Sequence, residues 1–207
     1  MPIHTVDVRV EKQEEHEACW ASICMAVVAA VKPGSAGKAP ADLYRQLNAA
    51  TGKKAQDPGK VLESEFGIRS TDVGYKDSVS TAGESSLRAT DIADKVTTAL
   101  SAGIPVICGL TTYDDAPLGA IQGKPIPWRH AVLIYKCDTT RRVCWIRDPA
   151  PGGGKAALAD RLVTFDELAS GFVYMNKKDF GPKTRALLGI SDGVLTARAF
   201  KLIVPAK

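Results

Sequence analysis

The chain lacks most of the features that assign a protein quickly. Its five cysteines include no CxxC pair and no Cys/His set at zinc-ligand spacing, which sets structural zinc classes aside. Their odd number and irregular spacing give no disulfide framework, so reduced thiols in a cytosol-compatible protein are the simplest state. Basic tracts are missing too. The net charge is +4 and the pI about 8.8, but Lys and Arg are scattered, with Lys53-Lys54, Arg141-Arg142 and Lys177-Lys178 as the basic doublets. With aromatics at only 6%, no basic and aromatic stripe exists for nucleic acid to lie on, and nucleic acid is not expected as the primary ligand. The apolar run Cys19–Val31 is 13 residues, short of the roughly 20 that cross a bilayer. The N-terminus is polar and strand-like, not the basic-then-apolar order of a secretory signal. The expected setting is therefore cytoplasmic, or delivery into a target cell, with no membrane partner.

What the chain does have is globular. Hydrophobic residues make up 45% and charged residues 24% of 207 residues, enough for one sizeable core and short of two. A single domain over 1–207 is expected. Val6, Val8 and Val10 alternate with charged residues and predict a short strand. Cys19–Val31 carries Ser22 as its one polar side chain beyond the two thiols, and a helix apolar all round is a buried, central one. Lys32-Pro33-Gly34 ends it, and a helix with proline in its first turn follows over 40–47. Another helix starts at Asp57-Pro58 and stops at Gly67, and a third is capped by Thr90-Asp91 and runs to Gly103. Ile104–Leu110 reads as a buried strand, and Ala131–Cys137 and Val143–Arg147 as a hairpin turning at Thr139-Thr140. Thr164 and Glu167 form a capping box ahead of a short helix. Strands are expected again at 172–175 and 198–204. Loops are expected at 76–86, at 113–128 as an ordered loop or lid, and at 149–154. Helices early and consecutive strands late predict an α+β fold with an antiparallel sheet.

Four residues carry chemistry. Cys19 opens the apolar helix, where backbone N–H groups and the helix dipole favour a thiolate and lower a thiol pKa from its free value of about 8.5. Gln13, six residues upstream, places an amide donor within reach of an oxyanion. Of the three histidines, His4 lies near the terminus and His16 among glutamates, and both read as solvated; His130 opens an apolar strand beside the 113–128 loop. A hairpin turning at Thr139 sets His130 directly opposite Asp148, whose carboxylate then fixes the imidazole tautomer. Taken singly, Cys19 is also read as a packed hydrophobe, Gln13 as a surface residue and Asp148 as a strand terminator. Together they make a nucleophile, a base, an orienting acid and an oxyanion donor.

Gln13…Cys19-Trp20, His130-Ala131-Val132 and Asp148-Pro149 resemble the signature of papain-like cysteine peptidases. They are most similar to the compact bacterial branch of leader-processing peptidases and effector proteases. The resemblance implies a papain-like α+β fold, with an N-terminal helical part and its buried catalytic helix packed on a C-terminal antiparallel sheet. It implies Cys19 as nucleophile, His130 as base and acid, Asp148 as orienter and Gln13 as oxyanion donor, with no cofactor and no metal. Glu17-Ala18 and Asp148 stand where larger relatives have Gly-Ser and asparagine. The expected function is a cysteine endopeptidase (a thiol protease, hence a hydrolase), as a bacterial toxin or effector domain. Its partners would be a protein or peptide substrate and a cognate inhibitory (immunity) protein. Alternatives are double-glycine leader processing, deamidase or transglutaminase acyl transfer, and an inactive binding module.

Overall fold

A computed structural model describes residues 2–13, 18–35, 37–52, 56–74, 89–112, 129–149, 161–170, 172–176 and 194–206. The fold is α+β, with helices packed on an antiparallel sheet. The loops expected at 76–86 and 113–128, most of that at 149–154, and His16 lie outside the described residues.

Helix α1 (Cys19–Val31) matches the apolar run end to end, and Ile23, Cys24, Val27 and Val28 are fully buried within it. It packs against α2 (Pro40–Thr51) and α3 (Pro58–Phe66). Helix α2 runs a turn beyond the expected 40–47 and stops at Gly52, which takes the left-handed conformation that glycine tolerates. Asp57 caps α3 by accepting the Gly59 and Lys60 N–H groups. Strand β2 (Ser70–Gly74), short and polar, is absent from the hydropathy pattern. Helix α4 (Ala89–Ser101) begins one residue before Thr90, which therefore sits inside the first turn and not at the cap.

The sheet contains β3 (Val106–Thr112), β4 (Arg129–Asp138), β5 (Val143–Arg147), β6 (Arg161–Thr164), β7 (Phe172–Asn176) and β8 (Val194–Pro205), in the order β2-β8-β3-β4-β5-β6, with β7 on β8. β3 starts two residues later than expected, and β6 joins the edge beyond the predicted hairpin. The Thr164–Glu167 capping box ahead of α5 (Phe165–Ser170) forms: the Thr164 N–H donates to Glu167 Oε2 at 2.6 Å and the Glu167 N–H to Thr164 Oγ1 at 3.0 Å.

The strand expected at Val6–Val10 is displaced. The paired segment is β1 (Ile3–Thr5), which lies along β4 at Lys136–Asp138. The same edge of β4 is occupied from Ile134 toward Arg129 by β3, so along β4 Val6–Val10 has no free edge to continue the pairing. The alternation survives in burial, since Val6, Val8 and Val10 are buried while Asp7 and Arg9 are exposed. Among the described residues no helix is long and apolar enough to cross a membrane.

Ile23, fully buried in the helix that carries Cys19, is the most direct test of this core. Ile23→Ala is expected to lower unfolding free energy by about 2–5 kcal/mol, read by chemical denaturation.

Candidate active site

Cys19 is the first residue of α1 and is 7% exposed. Ala18 at the N-cap offers no capping side chain, and the first turn holds no acidic residue. The positive end of the helix therefore faces the sulfur with no carboxylate in the helix's own first turn, and first-turn N–H groups have no intrahelical acceptor.

His130 is the second residue of β4, and α1 packs against that strand. Its Nε2 lies 2.5 Å from Asp148 Oδ1, with the two side chains 2% and 1% exposed. The ring thus donates to the carboxylate through Nε2, which leaves Nδ1 for the Cys19 sulfur, a group near enough to act on the same imidazole. Burial alone would push the imidazole pKa down. The charge and hydrogen bond of Asp148 oppose it, Cys19 adds to them, and the result is a pKa raised to about 10.

Asp148 does not face His130 directly, as the sequence predicts. In the hairpin, Asp138 pairs with Val143 and Cys137 with Cys144, but Ile134 pairs with Ile146 and Leu133 with Arg147. Tyr135 is the extra residue of a β-bulge between these two registers. Continued by one residue, the register sets Asp148 opposite Val132, diagonal to His130. The bulge decides the outcome: without it, His130 and Asp148 would project from opposite faces of the sheet. With it, His130, Val132, Ile134, Cys144, Ile146 and Asp148 share one buried face.

Gln13 is 3% exposed and so is not a surface residue. Its N–H donates to the Pro149 carbonyl at 2.9 Å, which ties it to the end of β5 beside Asp148. A cavity of about 30 Å³ separates it from the first turns of α1 and α2, bounded by Gln13, Ala18, Ser22 and Ala39–Ala41. Ser22 has no role in the sequence reading. It is 1% exposed and its Oγ has no hydrogen-bond partner, a state that costs about 1–3 kcal/mol and asks for an explanation. Its isolation as a hydroxyl in an otherwise apolar helix is the signal that could have found it.

The other thiols are packing groups. Burial pushes Cys24, Cys137 and Cys144 above the ordinary range and Cys108 up to about 12, so they stay protonated. His4 is partly buried, its Nδ1 2.8 Å from Ser101 Oγ, away from this site. Among the described residues no cluster of His, Cys, Asp and Glu could hold a metal ion.

No protein-family model matches the sequence, and no curated protein matches it. A solved structure of UfSP from C. elegans aligns with 100% of this chain and 35% of its own, at 12% identity and a TM-score of 0.48. The chain thus spans about a third of the length of that structure.

A folded-state pKa above the ordinary 6.5 means that folding binds a proton on His130. The pair's stabilisation is fully present below about pH 6.5 and is lost as pH rises through about 10. Thermal melts of wild type and Asp148→Asn are expected to converge across that window; a gap that stays constant or widens contradicts the assignment.

Proposed function

We propose that this chain is a cysteine endopeptidase of papain-like fold, with Cys19 as nucleophile, His130 as base and acid, Asp148 as orienter and Gln13 as oxyanion donor. The observation that carries the reading is the buried Asp148–His130 hydrogen bond with a helix-start thiol on the same imidazole. Asp148 holds the ring protonated and oriented, beside a sulfur that stands at a helix N-terminus. The thiolate sulfur attacks a peptide carbonyl carbon, forming the C–S bond as the carbonyl π pair moves onto oxygen. The Cys19 N–H and the Gln13 amide receive that oxyanion. As the intermediate collapses, the C–N bond breaks and His130 gives its proton to the leaving amine. Neutral His130 then takes a proton from water, whose oxygen displaces Cys19 from the thioester and regenerates the thiolate–imidazolium pair.

The biological setting we propose is a bacterial toxin or effector domain acting on a protein inside a reducing compartment, with an inhibitory partner protecting the producer. All five cysteines are free, which suits such a compartment.

Incubation with a cell lysate, followed by mass spectrometry of new N-termini, tests the reaction. Wild type is expected to generate new N-termini and Cys19→Ala none, with its fold intact by circular dichroism. His130→Ala is expected to lose about 10²-fold or more in rate. Deamidated glutamine, a shift of about +1 Da without new termini, would instead place the acyl transfer on side-chain amides. Expression in bacterial and eukaryotic hosts tests the setting: a growth defect abolished by Cys19→Ala is expected, and normal growth in both opposes it.

A further inference from the structure

We propose that Arg147 is a positioning residue for the His130–Asp148 pair: stacked on Tyr135 and bonded to the Val8 carbonyl, it locks the β4 bulge that puts both side chains on one face of the sheet. Only its effect on rate rests on the peptidase reading above; the geometry of the pair does not.

Tyr135 is the weak point of β4. Among the described residues of that strand it alone is absent from all three ladders, since β3 takes positions 129–134, β1 takes 136–138, and β5 skips it. Such a residue is absorbed when the strands slip by one place. The register near the turn, Lys136 with Trp145 and Cys137 with Cys144, would then run on to set Asp148 opposite Leu133, on the face away from His130.

Arg147 lies on that weak point. Its guanidinium carbon is 4.2 Å from the Tyr135 ring centroid, and its Nη1 donates to the Val8 carbonyl. The N-terminal arm closes the circuit, because the Val6 N–H donates to the Tyr135 carbonyl at 2.8 Å and both Val6 and Val8 are buried. Tyr135 is thus held at its carbonyl by the arm and at its ring by Arg147, which is itself tied to the arm. In the slipped register Arg147 would stand opposite Ile134, on the face away from Tyr135. The slip that parts Asp148 from His130 therefore also parts Arg147 from Tyr135, and the contacts of Arg147 resist both. Arginine suits this place. Its flat face stacks on a ring while its N–H groups donate in the plane, so one side chain makes both contacts at once.

The test reads the imidazole itself. Asp148 and Cys19 are the titratable groups acting on His130, whose pKa is raised to about 10. Ring nitrogen NMR spectra recorded against pH give its titration midpoint. Arg147→Met keeps the length of the side chain and removes its charge and its donors. Loss of a cation alone would raise the midpoint, because the imidazolium is relieved of a like charge. Loss of the register takes Asp148 away and lowers it. The midpoint is expected to fall by about one pH unit, a tenfold loss for one stack and one hydrogen bond. Tyr135→Leu removes the ring from the other side and is expected to match it. It also carries the test where Arg147→Met fails to fold by circular dichroism. The double variant should fall no further than either single one. The basic limb of peptide cleavage against pH should move down by the same amount.

A midpoint that holds or rises in Arg147→Met or Tyr135→Leu overturns the inference, as does a double variant whose fall is the sum of the two. Wild type that cleaves nothing and alkylates with iodoacetamide no faster than a free thiol removes the peptidase reading instead. The midpoints still decide the clamp in that case.

Discussion

One buried hydrogen bond, His130 to Asp148, sets the terms for the rest of the structure. Desolvating an imidazolium and a carboxylate costs several kcal/mol per ion, which their attraction repays only when the geometry is good. The two side chains meet at 2.5 Å with almost no exposure, so the geometry is good. Yet an apolar pair of similar volume would stabilise the core at least as well. Such a pair is a poor device for stability and a good one for holding a proton on an imidazole at neutral pH. That asymmetry, more than any single distance, is why the site reads as chemical.

The surroundings serve the same pair. Tyr135, the bulged residue of β4, supplies the one-residue offset that sets Asp148 on the face of His130. Its carbonyl accepts the Val6 N–H at 2.8 Å, just where β1 stops and β3 takes over the edge of β4. The Arg147 guanidinium sits 4.2 Å from the Tyr135 ring centroid and donates to the Val8 carbonyl, so the end of β5 holds both the bulge and the N-terminal arm. The arm then runs to Gln13, whose N–H is fastened to Pro149. The register of β5, the course of the arm and the place of Gln13 thus meet around one irregularity in one strand.

This explains what could be read from the sequence and what could not. Helix α1 was legible to the residue, because a run as apolar as Cys19–Val31 bounded by Lys32-Pro33-Gly34 has one reading. Strand β5 and the Thr164–Glu167 box were legible for similar reasons of local chemistry. The meeting of His130 and Asp148 was anticipated, but by a register that does not form. A turn centred on Thr139 would have paired them directly; the real hairpin turns later, with Asp138 opposite Val143, and reaches a diagonal pairing through the bulge at Tyr135, and nothing in the local pattern marks that tyrosine. The valines at 6, 8 and 10 carried the right burial alternation, but whether an extended segment is a strand depends on a free sheet edge, which β3 denied them. Short edge strands such as β2 and β6 escaped for the same reason, since pairing made them strands more than composition did.

The five thiols stand in two different settings. Cys24, Cys108, Cys137 and Cys144 sit inside helix or strand, where burial holds them protonated and inert. Cys19 is as much a part of the core by exposure, yet it stands at the first turn of a helix and against an imidazole already charged by Asp148. Burial is therefore not what sets Cys19 apart from the other four. The separation comes from two directed fields, a helix N-terminus and an ion pair, converging on a single sulfur. Both fields are fixed in place by elements too tightly packed to relax away from it, since α1 is buried nearly throughout and β4 is held by neighbours on each side. Rigidity of that kind gives a preorganised site its advantage, because the dipoles need not turn when charge develops.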